Sequence, residues 1–339
     1  MSKTFKHCTI FFVTTMFLVI MRIIFSVINV SSNVGDWLFS FLVQVIGLGV
    51  VPLLMYKFWV KDGIVEGFYV KPKLNFMVYF IAIVLGFLVH LLIVNVSVVW
   101  QNIMIITGFT PANSVTTIYS GPEVLVMDLL CTALLPAMFE ELTYRGLGMR
   151  MLSKVKDERV TLILLATLFG LGHQFILQTG YAFGAGLVLA YVAMKTRSII
   201  PGVIIHFMNN ALSVISAYSD QVNGLYSLIE NKIYDLLFSN WITLIISTAV
   251  VISAIVALLK MLNRFVPKKE EIKVEDEGAY FYPNSAQYID ELFGKPMWTA
   301  NYRGEVKKRT AWYEYAFLYG SIAITLVTTF FTYVWGIMR

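Results

Sequence analysis

The chain has 339 residues, of which 58% are hydrophobic and only 14% are charged, whereas about a quarter of an ordinary soluble domain is charged. This composition excludes a water-soluble globule, and the abundance of aromatic and β-branched residues excludes a disordered chain. The net charge of +5 forms no contiguous basic stripe. We therefore attribute it to membrane topology and expect no nucleic-acid partner.

Apolar runs long enough to cross a bilayer recur along the chain. A hydrocarbon core about 30 Å thick requires roughly 20 apolar residues in a helix, because lipid cannot hydrogen-bond a bare backbone. The sequence therefore predicts an all-α polytopic membrane protein with about nine transmembrane helices. The predicted spans lie near 9–30, 37–59, 76–100, 122–144, 159–176, 179–194, 199–218, 241–262 and 312–337.

The basic residues between these runs predict the orientation, because positively charged loops stay in the cytoplasm. Lys3 and Lys6 precede the first run, and loops rich in lysine or arginine alternate with loops that have few or none. This alternation predicts a multi-pass protein of the cell membrane. We expect this membrane to be a bacterial plasma membrane. Nine spans then leave the N-terminus cytoplasmic and the C-terminus extracytoplasmic.

The predicted fourth span carries two adjacent carboxylates, Glu140 and Glu141, followed by Arg145. Ionisable groups within a membrane are expensive and are functional candidates by default. Adjacent residues point about 100° apart on a helix, whereas Glu141 and Arg145 are four residues apart and suited to an ion pair. That pair would leave Glu140 free for another role. The alternative is that all three residues only cap the end of an interfacial helix.

Two later spans each present one polar face. Phe169 and His173 are four residues apart with two glycines between them, and His206 and Asn210 are also four apart. Each pair alone is compatible with simple helix packing, and the glycines would permit close helix approach. Taken together with Glu140, the pairs offer a base, a group that orients it, and donors for an oxyanion, which are the parts that peptide hydrolysis requires.

The order Glu-Glu-x-x-x-Arg, Phe-x-x-x-His and His-x-x-x-Asn on successive membrane helices resembles the CAAX protease and bacteriocin-processing (CPBP, or Abi) family of intramembrane glutamic endopeptidases. The resemblance covers about Lys71 to Ala217. The matching residues are Glu140, Glu141 and Arg145, then Phe169 and His173, then His206 and Asn210.

This resemblance implies that Glu140 and His173 activate a water molecule and that His206 and Asn210 form the oxyanion hole. Glu141, Arg145 and Phe169 would support the site. It also implies no cofactor and no metal, a peptide or protein substrate at the membrane, and a leader or lipidated peptide as the substrate class. The chain departs from the family's pattern from Trp241 onward, where we match nothing.

We divide the chain into five segments. We predict N-terminal transmembrane helices and a cytoplasmic loop at 1–70, and the protease core at 71–218. An extracytoplasmic loop and a transmembrane helix follow at 219–262. A cytoplasmic segment at 263–311 and a C-terminal transmembrane helix at 312–339 complete the chain.

The depths of His173 and Glu140 in the membrane give a further expectation. His173 would lie about 21 Å along the fifth span from Arg159, whereas Glu140 is near the cytoplasmic end of the fourth. The two can meet only if the fourth helix extends past Arg145 or the fifth begins outside the lipid. We expect both.

Several other functions remain alternatives. Two histidines and a carboxylate can bind catalytic zinc, but the sequence has no His-Glu-x-x-His motif, so we rank this mechanism lower. It also lacks the motif of a serine hydrolase, a convincing pair of aspartates, and the inverted repeat of a transporter. A non-proteolytic scaffold, immunity protein or sensor of the same fold is the main alternative, although none of the three motifs is broken.

Overall fold

The computed structural model describes residues 1–28, 32–70, 74–110, 117–266 and 312–338. Most of the predicted cytoplasmic segment, from 267 to 311, lies outside the described residues. Ten long helices follow one another in this part of the chain. They are α1 (Lys3–Ile28), α2 (Asn33–Val60), α3 (Phe76–Ile106), α4 (Pro122–Met151), α5 (Glu158–Gly172), α6 (Ile176–Thr196), α7 (Ile200–Gln221), α8 (Leu225–Leu237), α9 (Trp241–Phe265) and α10 (Tyr313–Ile337).

The prediction of an all-helical, multi-pass membrane protein is confirmed. Eight of the ten helices are long and apolar enough to cross a membrane, and no strand occurs in the described ranges. The predicted fifth span is the exception, because α5 has only 15 residues and a length of about 22 Å. The predicted loop after residue 218 also differs, since it contains the 13-residue helix α8.

The short helix α5 forms an antiparallel hairpin with α6. Lys195 Nζ near the end of α6 lies 3.0 Å from Glu158 Oε2 at the start of α5. The start of α5 and the end of α6 therefore lie side by side. A Cβ atom on Gly170 would lie only 3.0 Å from the Thr179 carbonyl oxygen, and one on Gly186 would lie 3.0 Å from Ala166 Cα. The predicted close approach at Gly170 is therefore confirmed, and the turn after α5 places His173 inside the helical bundle.

Helix α4 extends past Arg145 to Met151, as the depth argument predicted. Two stretches of it, Leu129–Leu134 and Glu141–Leu147, have the wider turns of a π-helix, which often occur at functional sites. The second stretch contains both Glu141 and Arg145.

Helix α2 is joined to α4 by a side-chain hydrogen bond near Pro52. Pro52 has no N–H group and cannot donate to the carbonyl of Leu48 four residues earlier. The Thr143 hydroxyl of α4 donates to that carbonyl instead, over 2.7 Å. A Cβ atom on Gly49 would lie 2.7 Å from the Phe139 ring, so glycine is needed for this approach. These contacts bring α2 beside Glu140.

The remaining helices complete the bundle. Helix α3 packs against α6, α7 and α9, and the first helix, α1, packs against the last, α10. Helices α4 to α7, which carry the three sequence motifs, are therefore enclosed by helices from both ends of the chain.

Candidate active site

The structure brings together the four residues that the sequence nominates for catalysis. Glu140 of α4, His173 after α5, and His206 and Asn210 of α7 all line one cavity of about 260 Å³. The apolar part of its wall comes mainly from α3 and α6. Side chains from three parts of the chain, at positions 140, 173 and 206 to 210, thus face one small space.

Glu140 is held by a residue that the sequence analysis missed. Gln44 of α2 donates from Nε2 to Glu140 Oε1 over 2.7 Å, and Gln44 is itself buried. Glu140 Oε2 has no hydrogen-bond partner in the described part of the chain and lies 3.9 Å from His206 Nε2. One carboxylate oxygen is therefore fixed while the other is available.

The predicted ion pair between Glu141 and Arg145 is confirmed. Arg145 Nη1 lies 2.6 Å from Glu141 Oε1, and both side chains are 0% exposed. The same carboxylate oxygen accepts a hydrogen bond from His206 Nδ1 over 3.1 Å. Gly202 of α7 makes room for this group, because a Cβ atom there would lie 2.8 Å from Glu141 Oε2. Glu141 therefore faces α7 and not solvent at a helix end.

The Phe169 ring lies at the centre of these groups. The Arg145 guanidinium is 4.1 Å from the ring centroid, a cation–π arrangement. The rings of His173 and His206 meet the Phe169 ring edge-on, with centroids 5.0 Å and 5.6 Å away. One buried aromatic residue thus sets the orientation of both imidazoles.

His173 has a defined tautomer. Its Nδ1 is 2.9 Å from the carbonyl oxygen of Phe169, and a carbonyl can only accept, so Nδ1 carries the proton. In the neutral imidazole Nε2 then has the lone pair. His173 can therefore accept a proton at Nε2.

Arg22 of α1 is a further charged residue beside the site, outside the three sequence motifs. An arginine in an apolar run is ordinarily expected to reach the interface or to pair there. The structure instead shows Arg22 donating to the carbonyl oxygen of His173, with its guanidinium 5.9 Å from the Phe175 ring centroid. The reason is geometric, because the turn after the short α5 places that carbonyl within reach of α1.

Asn210 is fixed from two sides. Its Nδ2 donates to the Thr132 carbonyl oxygen over 3.2 Å, and its Oδ1 accepts from Asn209 Nδ2 over 2.8 Å. The two contacts need opposite ends of the amide, so they specify which end is nitrogen. An amide nitrogen carries two protons, and one of them stays available beside the cavity.

The Thr132 backbone is held in turn by Asp128. Thr132 Oγ1 and the Tyr119 hydroxyl donate to the two oxygens of Asp128, each over 2.6 Å. Burial and the bond to Asp128 raise the pKa of Tyr119 above its usual value, so this phenol remains a donor at neutral pH. The polar chain from Tyr119 to Asn210 fixes the position of the amide.

A metal site requires three or more ligands in a compact arrangement. In the ranges that the structure describes, no group of three or more histidine, cysteine, aspartate or glutamate side chains has such an arrangement.

Comparison with known proteins agrees with the motifs. Residues 122–212 match the family model described as Type II CAAX prenyl endopeptidase Rce1-like. This segment contains α4 to α6 and most of α7, and it includes every residue of the three motifs. Residues 122–212 therefore form a CAAX-protease-like domain, of a membrane protease type at the family level, and the resemblance inferred from the sequence is confirmed. No curated protein and no solved structure matches the chain.

Proposed function

We propose that this protein is an intramembrane endopeptidase that hydrolyses peptide bonds of membrane-associated, lipidated or leader peptides with a water molecule activated by Glu140. The observation that carries the proposal is the convergence of Glu140, His173, His206 and Asn210 on one cavity. The apolar part of the cavity wall suits the side chains of a membrane-associated peptide.

Glu140 is the proposed general base. Gln44 occupies Oε1, so Oε2 is the oxygen that takes a proton from water. His173 contributes the lone pair of Nε2 and lines the same cavity, so it orients this water or shares its proton. A positioned base of this kind contributes about 10²–10⁴ in rate.

Asn210 and His206 are the proposed oxyanion donors. The second proton on Asn210 Nδ2 is not needed by Thr132, and a single amide donor of this kind contributes about 10²–10³ in rate. His206 already donates from Nδ1 to Glu141. Donation from Nε2 to an oxyanion therefore requires a proton on both ring nitrogens.

Glu141, Arg145 and Phe169 are proposed as support for these groups. Glu141 fixes the His206 ring through Nδ1, Arg145 neutralises the buried Glu141 carboxylate, and Phe169 packs against both imidazoles. None of the three needs to contact the peptide. The role we assign to them is to hold the reacting groups in place.

The orientation proposed from the basic loops is compatible with the short helix α5. Helix α5 enters the bundle and α6 returns to the same side of the membrane. The number of membrane crossings along the chain therefore stays odd. A cytoplasmic N-terminus then gives an extracytoplasmic C-terminus, with the site opening toward the cytoplasmic half of the membrane.

The test is a comparison of membrane peptidomes from cells that contain the wild-type protein or Glu140→Gln. Glu123→Gln, an exposed carboxylate on the same helix, is the matched control. We expect specific cleavage products with the wild type and the control that are absent with Glu140→Gln. The same products at the same abundance in all three samples would contradict the proposal, and the products themselves would identify the substrate.

A further inference from the structure

A second cavity of about 290 Å³ adjoins the first and shares Glu140, His173 and Gln178 with it. It lies between α1, α2, α4 and the turn that joins α5 to α6. Its lining is unusually polar for a membrane-embedded space and includes Arg22, Gln44, Tyr144, Gln174 and Gln178. Of this lining, the proposed mechanism uses only Glu140, His173 and Gln44.

Arg22 places a positive charge in this cavity. A guanidinium has five N–H donors, and one of them donates to the His173 carbonyl. Among the described residues, Arg22 forms no ion pair with a carboxylate. A cation within a transmembrane segment is costly and marks a functional site by default. Its remaining donors suit an anionic group that enters from elsewhere.

Gln174, next to His173, forms a turn that also lines this cavity. Its backbone φ is 49°, a left-handed conformation that is uncommon for residues other than glycine and that clusters at ligand sites. The residue is 2% exposed, and its side-chain Oε1 has no hydrogen-bond partner in the described part of the chain. The strained turn therefore holds an incompletely bonded amide at the wall of the same cavity.

Peptide hydrolysis itself produces an anion next to Glu140. Water adds its oxygen to the carbonyl carbon, the C–N bond breaks, and the amine leaves with a proton. The acyl fragment then ends in a new carboxyl group, which ionises to a carboxylate. Two carboxylates at one place repel each other, so the new group needs a cation nearby, and guanidinium–carboxylate hydrogen bonds are among the strongest in proteins.

We infer that the second cavity is a carboxylate-binding site for the peptide, with Arg22 as the cation. Its occupant is a carboxylate of the peptide, either the newly formed terminus or an acid that the substrate already carries. This inference rests on the proposed function, because it assumes a peptide beside Glu140.

Binding measurements test this inference without any cleavage. The full-length Glu140→Gln protein is placed in lipid nanodiscs and titrated by calorimetry with the peptide acetyl-Ala-Ala-Leu as the free acid and as the C-terminal amide. We expect the acid to bind at least about 10-fold more tightly than the amide. Arg22→Gln should abolish this preference, and Arg22→Lys, which keeps the charge, should retain part of it. Arg264→Gln, an exposed arginine at the end of α9, is the matched control and should change nothing.

Equal binding of the acid and the amide would overturn the inference even if Arg22→Gln failed to fold, because that comparison needs only the protein with Arg22 intact. An acid preference that survived in folded Arg22→Gln would overturn it as well. Normal cleavage by Glu140→Gln would instead remove the proposed function while the binding result stood.

Once a substrate is known, its two hydrolysis fragments separate the sources of the carboxylate. Competition by the fragment that ends in the new carboxylate identifies the product, and competition by the other fragment identifies an acid already present in the substrate.

Discussion

The side-chain amide of Asn209 donates to the amide oxygen of its neighbour Asn210 over 2.8 Å. This contact prevents the Asn210 amide from turning its oxygen toward the Thr132 carbonyl. Asn209 itself lies at the wall of the same cavity. A residue beside the recognised motif therefore determines which atom of Asn210 can face an oxyanion.

This relationship predicts a non-additive pair of substitutions. Asn210→Ala should lower kcat about 10²–10³-fold, and Asn209→Ala should lower it about 10-fold by letting the amide reorient. In the double variant the Asn209 substitution should lower kcat no further, because the Asn210 amide that Asn209 positions is absent. The test is to measure kcat for the purified single and double variants. Asn102→Ala, at an exposed position on α3, is the control. Two losses that multiply would show that Asn209 acts independently of Asn210.

The bond from Gln44 to Glu140 predicts a loss of activity from a substitution on α2, outside the family-matched segment. Gln44→Leu keeps a similar shape but removes the donor to Glu140 Oε1. Turnover should fall about 10–100-fold, the usual effect of losing a group that orients a reacting one, with little change in melting temperature. Gln101→Leu, at an exposed position on α3, should retain full activity. Unchanged turnover in Gln44→Leu would mean that Glu140 needs no partner from α2.

The buried pair Glu141 and Arg145 predicts an effect on stability. Arg145→Met should lower the free energy of unfolding by about 3–5 kcal/mol, because it leaves a carboxylate buried without its partner. The double variant Glu141→Leu and Arg145→Met should recover most of that loss while remaining inactive. Denaturant titration in detergent measures both effects. Glu158→Gln breaks the exposed pair with Lys195 and should cost under about 1 kcal/mol. An equally small effect for Arg145→Met would contradict the burial argument.

Hydrolysis by glutamate predicts resistance to chelators. We expect purified protein to keep its activity after dialysis against a strong zinc chelator, since a carboxylate, imidazoles and an amide supply the required groups. A zinc-dependent protease treated in parallel should lose its activity. Loss of activity that returns when Zn²⁺ is added would support the zinc alternative instead.

Much of this site follows from the helical period. Residues four apart share a helix face, so the sequence could predict the Glu141–Arg145 pair and the shared faces of Phe169 with His173 and of His206 with Asn210. It could also predict that α4 continues past Arg145, which is one of the two ways in which His173 can reach the depth of Glu140. These are local relationships, in which spacing alone determines direction.

Gln44 and Arg22 could not be found in this way. Each is a single polar residue in an apolar run, and their partners lie 96 and 151 residues away in the sequence. Only the packing of α2 against α4, and of α1 against the turn after α5, brings these groups together. The one local signal was the Gly49 and Pro52 pattern in α2, which marks a close helix contact but does not name the partner. The length of α5 was also misjudged, because its apolar run continues through His173 into α6.

The central claim is that Glu140 activates the water that cleaves the peptide. The most direct test is turnover of the identified substrate by purified wild-type and Glu140→Gln proteins in nanodiscs, with melting temperatures measured on the same samples. We predict that Glu140→Gln loses about 10²–10⁴ in kcat and keeps the wild-type melting temperature. Wild-type turnover by a correctly folded Glu140→Gln protein would contradict the assignment.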